Sequence, residues 1–104
     1  MSEMNTYQKE AWSYAMTSAK NPLYLFAGLA GEVGELNSLV AKSVRDGHSL
    51  SINDVVKEVG DVLWFVAGVC SYYNIPLQEV ADKNLNKLRD RKARNVISGN
   101  GDNR

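Results

Sequence analysis

Two pairs of acidic residues lie in otherwise apolar segments and have the same spacing. Glu32 and Glu35 form the first pair, Glu58 and Asp61 form the second, and each pair has the pattern acid-Val-Gly-acid. Residues three apart project from one face of a helix. Carboxylates gathered on apolar helices repel one another and lose hydration unless a cation lies between them. Because oxygen ligands without histidine suit Mg²⁺ or Mn²⁺ better than Zn²⁺, the sequence predicts a divalent-metal site.

Four predicted helices must position these side chains, and they account for most of the chain. Asn21 followed by Pro22 is a typical helix start, Gly47 a typical stop, and Ser51 a second start. The short connections favour an all-α fold, an antiparallel four-helix bundle. The predicted helices are about Thr6–Ala19, Pro22–Arg45, Ile52–Tyr73 and Pro76–Arg94.

The two acidic pairs are expected to face each other across the second and third helices. Glu35 precedes the turn by about eleven residues and Asp61 follows it by about nine, which leaves an axial offset of roughly 3 Å. The alternative is that these acids lie on solvated helix faces, as most glutamates do. Apolar neighbours leave little of the third helix polar, which favours the metal site. A di-iron bundle is disfavoured because its ligands include Glu-x-x-His, whereas the single histidine, His48, lies in a predicted turn.

A basic stripe on the fourth helix complements the acidic pairs. Its members recur at helical spacing, so they share one face. If this face is turned toward the acids, it is suited to hold phosphate groups that a metal ion bridges. The alternative is an ordinary solvated basic face. The stripe comprises Lys83, Asn84, Lys87 and Arg91.

Three glycines, Gly28, Gly31 and Gly34, lie within the predicted second helix beside its acids. A glycine inside a helix costs up to about 1 kcal/mol relative to alanine. Bare backbone permits close approach of a neighbouring helix or a bulky ligand. Ordinary tight helix packing explains the same pattern, and the sequence leaves both explanations open.

The totals restrict the class of protein. The 104 residues leave room for one helical domain, predicted as 1–95, followed by a polar tail, 96–104. Long helices in so small a unit usually need partner subunits, so a homodimer or homotetramer is expected. Twelve acidic and twelve basic residues balance, which gives no argument for nucleic-acid or membrane partners. The single cysteine, Cys70, and the lack of a membrane-length apolar run predict a soluble, cytoplasmic protein.

Taken together, the motifs resemble those of MazG-type nucleotide pyrophosphohydrolases. The combination of Glu-x-x-Glu and Glu-x-x-Asp is the most specific part, and the resemblance covers almost the whole chain. The similar segments are Gly31–Glu35, Lys42–Gly47, Glu58–Phe65 and Asn84–Arg91. The resemblance implies an all-α fold that oligomerises and hydrolyses an NTP or dNTP to the monophosphate and pyrophosphate, using Mg²⁺ or Mn²⁺.

The resemblance also implies roles for individual residues. The implied metal ligands are Glu32, Glu35, Glu58 and Asp61. The implied substrate contacts are Asn84, Lys87 and Arg91. Glu35 or Glu58 is the candidate to take a proton from water. The alternative belongs to another class, a non-catalytic helical module that binds a nucleotide or a protein partner.

Overall fold

The computed structural model describes residues 2–104, and this part of the chain is all-helical, without strands. The first residue of the predicted domain 1–95 lies outside the described residues. The helices are α1 (Glu3–Ser13), α2 (Pro22–Asp46), α3 (Ile52–Tyr72) and α4 (Leu77–Ala93). A short 3₁₀ helix, Thr17–Lys20, connects α1 to α2. The predicted all-α class is therefore confirmed.

Local capping sets the ends of α2 and the start of α3. The Asn21 side chain accepts a hydrogen bond of 3.0 Å from the backbone N–H of Leu23. Gly47 ends α2 in the left-handed region, at φ +68°. The Ser51 hydroxyl then accepts a bond of 3.4 Å from the N–H of Asp54. These caps confirm the predicted starts and stop, and they leave a short turn that folds α2 and α3 into a hairpin.

The end of α1 differs from the prediction, which continued this helix to Ala19. The helix ends at Ser13, and the chain resumes as the 3₁₀ helix at Thr17. This break turns the chain toward α2 and buries Ala19. Tertiary packing therefore overrides the helical pattern of this segment.

Hydrogen bonds from α1 hold the other helices in place. The indole N–H of Trp64, on α3, donates to the Ala11 carbonyl at 3.1 Å. The buried Gln8 side chain accepts from the N–H of Leu77 at 2.7 Å and donates to the Ile75 carbonyl at 2.9 Å. The Gln8 amide thereby fixes the start of α4 against α1. As a result α4 packs on α1 and α3.

Large apolar side chains remain uncovered on the α2–α3 hairpin. The radius of gyration is 16.5 Å, whereas a compact chain of this length has about 13 Å. The most exposed apolar side chains of the hairpin are Leu23, Val44, Ile52 and Val56. None of the helices in residues 2–104 has both the length and the apolar character needed to cross a membrane.

Gly28 is the member of the glycine series that permits a close approach. A Cβ at this position would lie 2.2 Å from Cε1 of Phe65, whereas no atom lies within 4 Å of a Cβ at Gly31 or Gly34. The Phe65 ring is itself flanked by Tyr24, at a centroid distance of 6.0 Å. Close packing of the Phe65 ring of α3 therefore explains why position 28 is a glycine. The other two glycines have open space around them.

We expect Gly28→Ala to lower the free energy of unfolding by about 1–3 kcal/mol, because overpacking against Phe65 exceeds the gain in helix propensity. Gly31→Ala is the matched control and should raise the free energy of unfolding by up to about 1 kcal/mol. Urea denaturation followed by circular dichroism measures both values. Adding Phe65→Leu to the first variant should restore part of the lost stability. Equal stability of Gly28→Ala and the wild type would contradict the close contact.

Candidate metal centre

Three carboxylates from the two helices of the hairpin converge. Glu32 comes from α2, and Glu58 and Asp61 come from successive turns of α3. One oxygen from each carboxylate lies within 4.8 Å of the other two. Oxygens at this spacing are close enough together for the three side chains to hold one hard divalent ion. We call these three residues the acidic cluster.

The electrostatics of the acidic cluster favour an added cation. Partial burial raises the pKa of Glu32 above its ordinary value of 4.5, and the negative charges of Asp61, Glu58 and Glu35 raise it further. No ion pair within residues 2–104 involves any of these carboxylates. The repulsion is thus uncompensated by the protein's own cations. An all-oxygen, negatively charged set of this kind fits a hard divalent ion such as Mg²⁺.

Glu35 lies at the margin of the acidic cluster. It is exposed and is not among the three carboxylates whose oxygens converge. Its negative charge still contributes to the raised pKa of Glu32. The structure therefore brings three of the four predicted metal ligands together and leaves the fourth nearby, one turn further along α2.

The predicted phosphate-binding cations of α4 contact the C-terminal tail. Lys87 Nζ lies 2.8 Å from Asp102 Oδ1, and Arg91 Nη2 lies 3.1 Å from the same oxygen. Hydrogen bonds from Lys87 and then Arg91 hold the pKa of Asp102 below its usual range. Lys83 instead pairs with Glu79 at 3.7 Å. Among residues 2–104, no ion pair joins this basic stripe to the acidic cluster.

The third predicted substrate contact, Asn84, is exposed and lies beside Tyr7 and Leu63 on the surface between α1, α3 and α4. The sequence prediction did not include the pairing of Asp102 with α4. One signal in the sequence was Asp102 itself, the single acidic residue that follows the basic end of α4 and lies near Gly99 and Gly101.

The raised pKa of Glu32 has a consequence for stability. The pKa of Glu32 is near 4.5 in the unfolded chain and higher in the folded chain, so the unfolded chain loses this proton at a lower pH. Stability is therefore lost as the pH rises through the folded-state pKa. We expect Glu32→Gln to remove this loss and to raise the melting temperature of the metal-free protein at pH 7.5 by about 1–2 °C, a small value because solvent screens the group.

Thermal unfolding in a chelator, at pH 4.5 and pH 7.5, measures this effect. The gain from Glu32→Gln should be present at the higher pH and absent at the lower one. Added Mg²⁺ should stabilise the wild type more than the variant, because the variant lacks one carboxylate of the acidic cluster. A lower melting temperature of Glu32→Gln at both pH values would contradict the repulsion inferred here.

Comparison with known proteins identifies the family of the chain. The family model described as the MazG nucleotide pyrophosphohydrolase domain matches residues 20–96, which include the acidic cluster and the basic stripe. The chain is also 42% identical over 85 residues to the Gene 37 protein of Mycobacterium phage L5, covering 78% of this chain and 75% of that protein. No solved structure matches the chain significantly. Because the family match extends over most of the sequence, the chain belongs to the MazG nucleotide pyrophosphohydrolase family.

Proposed function

We propose that this protein is a Mg²⁺-dependent nucleoside triphosphate pyrophosphohydrolase, which converts an NTP or dNTP to the monophosphate and pyrophosphate. The observation that carries the proposal is the convergence of Glu32, Glu58 and Asp61 on the α2–α3 hairpin. Membership of a nucleotide pyrophosphohydrolase family supports the reaction type. The phosphoanhydride bond between the α- and β-phosphates is the bond that this reaction breaks.

The acidic cluster is the proposed holder of the metal, and Glu35 is its proposed fourth ligand. Their carboxylates supply the negative charge that attracts a divalent ion to an otherwise apolar hairpin. When bound, Mg²⁺ supplies positive charge to the phosphate oxygens and makes nearby water more acidic. Mn²⁺ accepts the same oxygen ligands and is the proposed substitute.

Glu35 and Glu58 are the proposed proton acceptors for the attacking water. Glu35 suits this role because it is exposed and lies outside the three converging carboxylates. Glu58 suits it because it is half-buried and contributes one of the three converging carboxylate oxygens, beside which the reacting water would lie. As the water oxygen bonds to phosphorus, one water proton passes to the carboxylate. The phosphoanhydride P–O bond breaks, and its electron pair stays on the oxygen of the leaving phosphate group.

Three residues of the basic stripe, Asn84, Lys87 and Arg91, are the proposed contacts for the triphosphate. Lys87 and Arg91 would stabilise the negative charge that develops on the departing pyrophosphate. The Asn84 amide offers a hydrogen-bond donor on the same helix, one turn before Lys87. Of these three residues, Asn84 and Lys87 are accessible in the structure, whereas Arg91 is buried.

A homodimer or homotetramer is the proposed assembly. The hairpin exposes Val44, Ile52 and Val56, and the chain is more extended than a compact monomer of its length. A second copy packed on the hairpin would remove these side chains from water. Light scattering on the purified protein measures the number of copies. The proposed location is the cytoplasm, where the buried Cys70 thiol stays reduced.

A pyrophosphate-release assay over the common NTPs and dNTPs tests the proposed reaction. Release is expected with Mg²⁺ or Mn²⁺ and should stop when the ion is chelated. The assay requires a parallel measurement of nucleotide binding, because a non-catalytic module also binds. Binding without release under every metal would overturn the enzyme and favour the binding module.

A further inference from the structure

The last residues of the chain form a closed turn that folds back on α4. The Arg104 side chain donates hydrogen bonds to the backbone carbonyls of Val96, Ile97 and Gly101, at 3.0, 2.8 and 2.6 Å. Arg94, just after α4, donates to the Arg104 carbonyl at 2.5 Å. These bonds give residues 96–104 a defined shape, which we call the C-terminal clasp. The clasp presents one acidic side chain to the helix.

That side chain, Asp102, forms ion pairs with Lys87 and Arg91, two cations of α4 that lie one turn apart. Its Oδ1 atom accepts from Lys87 Nζ at 2.8 Å and from Arg91 Nη2 at 3.1 Å. The Arg91 guanidinium also donates to the backbone carbonyl of Asp102. Lysine and arginine side chains in general can share a phosphate oxygen in the same way.

The clasp limits what else these cations can bind. The Arg91 side chain is only 7% exposed in this arrangement, whereas the Asp102 side chain is 75% exposed. Lys87 remains 38% exposed. Asp102 Oδ1 therefore lies at the position where a phosphate oxygen would contact both cations, so two anions cannot share this position.

We propose that Asp102 is an internal competitor of the substrate's phosphate groups, held on Lys87 and Arg91 until a nucleotide displaces it. This inference rests on the proposed function, which assigns these two cations to the triphosphate. Displacement is feasible because the Asp102 side chain is 75% exposed, so it can move from the cations into water without leaving a packed interior. A triphosphate carries several negative charges and more acceptor oxygens than one carboxylate. The clasp thus lowers the affinity for substrate and favours the release of product.

Binding of inorganic tripolyphosphate, measured by calorimetry without divalent ions, tests the competition directly. The variants are Asp102→Asn, which keeps the side-chain size but removes the charge, and Asp82→Asn as matched control. Asp82 is an exposed acid on α4 whose side chain accepts a hydrogen bond from Gln78 at 2.9 Å, outside the hydrogen bonds of the clasp. We expect Asp102→Asn to bind tripolyphosphate about three- to tenfold more tightly than the wild type, which is up to about one decade in the dissociation constant. Asp82→Asn should bind like the wild type.

Two results would overturn the competition. Equal tightening by both variants would show an effect of net charge alone. Unchanged or weaker binding by Asp102→Asn would show that the carboxylate supports the cations instead of blocking them. Asp102→Ala, measured beside it, repeats the test with a side chain that cannot hydrogen-bond. Circular dichroism of each variant confirms that α4 is still folded.

The enzyme assay separates failure of this inference from failure of the proposed function. If the wild type releases no pyrophosphate from any nucleotide while Asp102→Asn still binds tripolyphosphate more tightly, the reaction is wrong and the competition stands. If pyrophosphate is released but Asp102→Asn has an unchanged KM, the reaction stands and the competition is wrong. Where both hold, Asp102→Asn should lower KM by the same three- to tenfold as its tripolyphosphate affinity.

Discussion

Glu58→Gln is expected to reduce the rate of pyrophosphate release by about 10²- to 10³-fold while leaving the helical fold intact. Glu58 is half-buried and contributes one of the three converging oxygens. An amide keeps the volume of the side chain but removes the charge that attracts a divalent ion. Because the substitution also removes repulsion with Glu32 and Asp61, the metal-free variant should be at least as stable as the wild type.

Two measurements divide the roles of Glu58. Steady-state rates at saturating Mg²⁺ give the loss of activity, and melting temperatures with and without Mg²⁺ give the loss of metal binding. A lost rate with an unchanged Mg²⁺ effect would assign Glu58 as the proton acceptor, and loss of both would assign it as a ligand. Glu79→Gln, an exposed acid on α4, should keep full activity. Full activity of Glu58→Gln would remove this residue from the proposed site.

The helices were predictable because their ends are set by local chemistry. An asparagine before Pro22, a glycine in the left-handed region and a serine hydroxyl act on the backbone within three residues of their own position. Such signals do not depend on the rest of the fold. The end of α1 was not predictable in this way. It depends on burying Ala19 beneath α2, which is a contact between separate elements.

The glycine series shows the same limit within one helix. Three residues advance the helix by about 300°, so successive members of the series are rotated by about 60° around the axis. Only Gly28 therefore meets the Phe65 ring, although its sequence spacing equals that of Gly31 and Gly34. Sequence spacing identifies the repeat, whereas the packing of α2 on α3 decides which member is contacted.

The packing of α2 on α3 also decides which acids converge. The axial register of the hairpin follows from the rise per residue and the position of the turn, so the sequence predicts that the acidic pairs meet at similar depth. The angle that each helix presents to its neighbour depends on side-chain packing. That angle places Glu32 among the α3 acids and leaves Glu35 exposed beside them.

The pairing of α4 with the tail was beyond prediction for a further reason. A basic stripe is compatible with many anions, including a substrate phosphate, a carboxylate of the same chain and solvent counterions. The sequence contains twelve acidic residues that are all possible partners. The turn closed by Arg104 selects Asp102 from among them, and this turn depends on three backbone carbonyls whose positions no local sequence signal sets.

Lys87→Ala is expected to lower kcat/KM by about 10- to 100-fold, which is the second large effect. A hydrogen bond between a charged donor and phosphate contributes roughly 1.5–3 kcal/mol, which corresponds to this range. The Lys87 side chain is 38% exposed and its ammonium group contacts the exposed Asp102 carboxylate, so a ligand that displaces this carboxylate can contact the ammonium group. The loss should appear mainly in KM if the contact is equal in the bound substrate and the transition state, and in kcat if the contact strengthens as pyrophosphate departs.

Lys83→Ala is the matched control for this prediction. Lys83 is on the same helix one turn earlier, is 78% exposed, and pairs with Glu79 instead of the clasp. Initial rates over a range of nucleotide and salt concentrations compare the two variants. Equal losses in both would indicate a general effect of positive charge on substrate approach, and would remove Lys87 from the phosphate site. A loss confined to Lys87→Ala would localise the phosphate contact to the part of α4 that Asp102 covers. In that case adding Asp102→Asn to Lys87→Ala should improve KM less than it does in the wild type, because one of the two cations that Asp102 occupies is already gone.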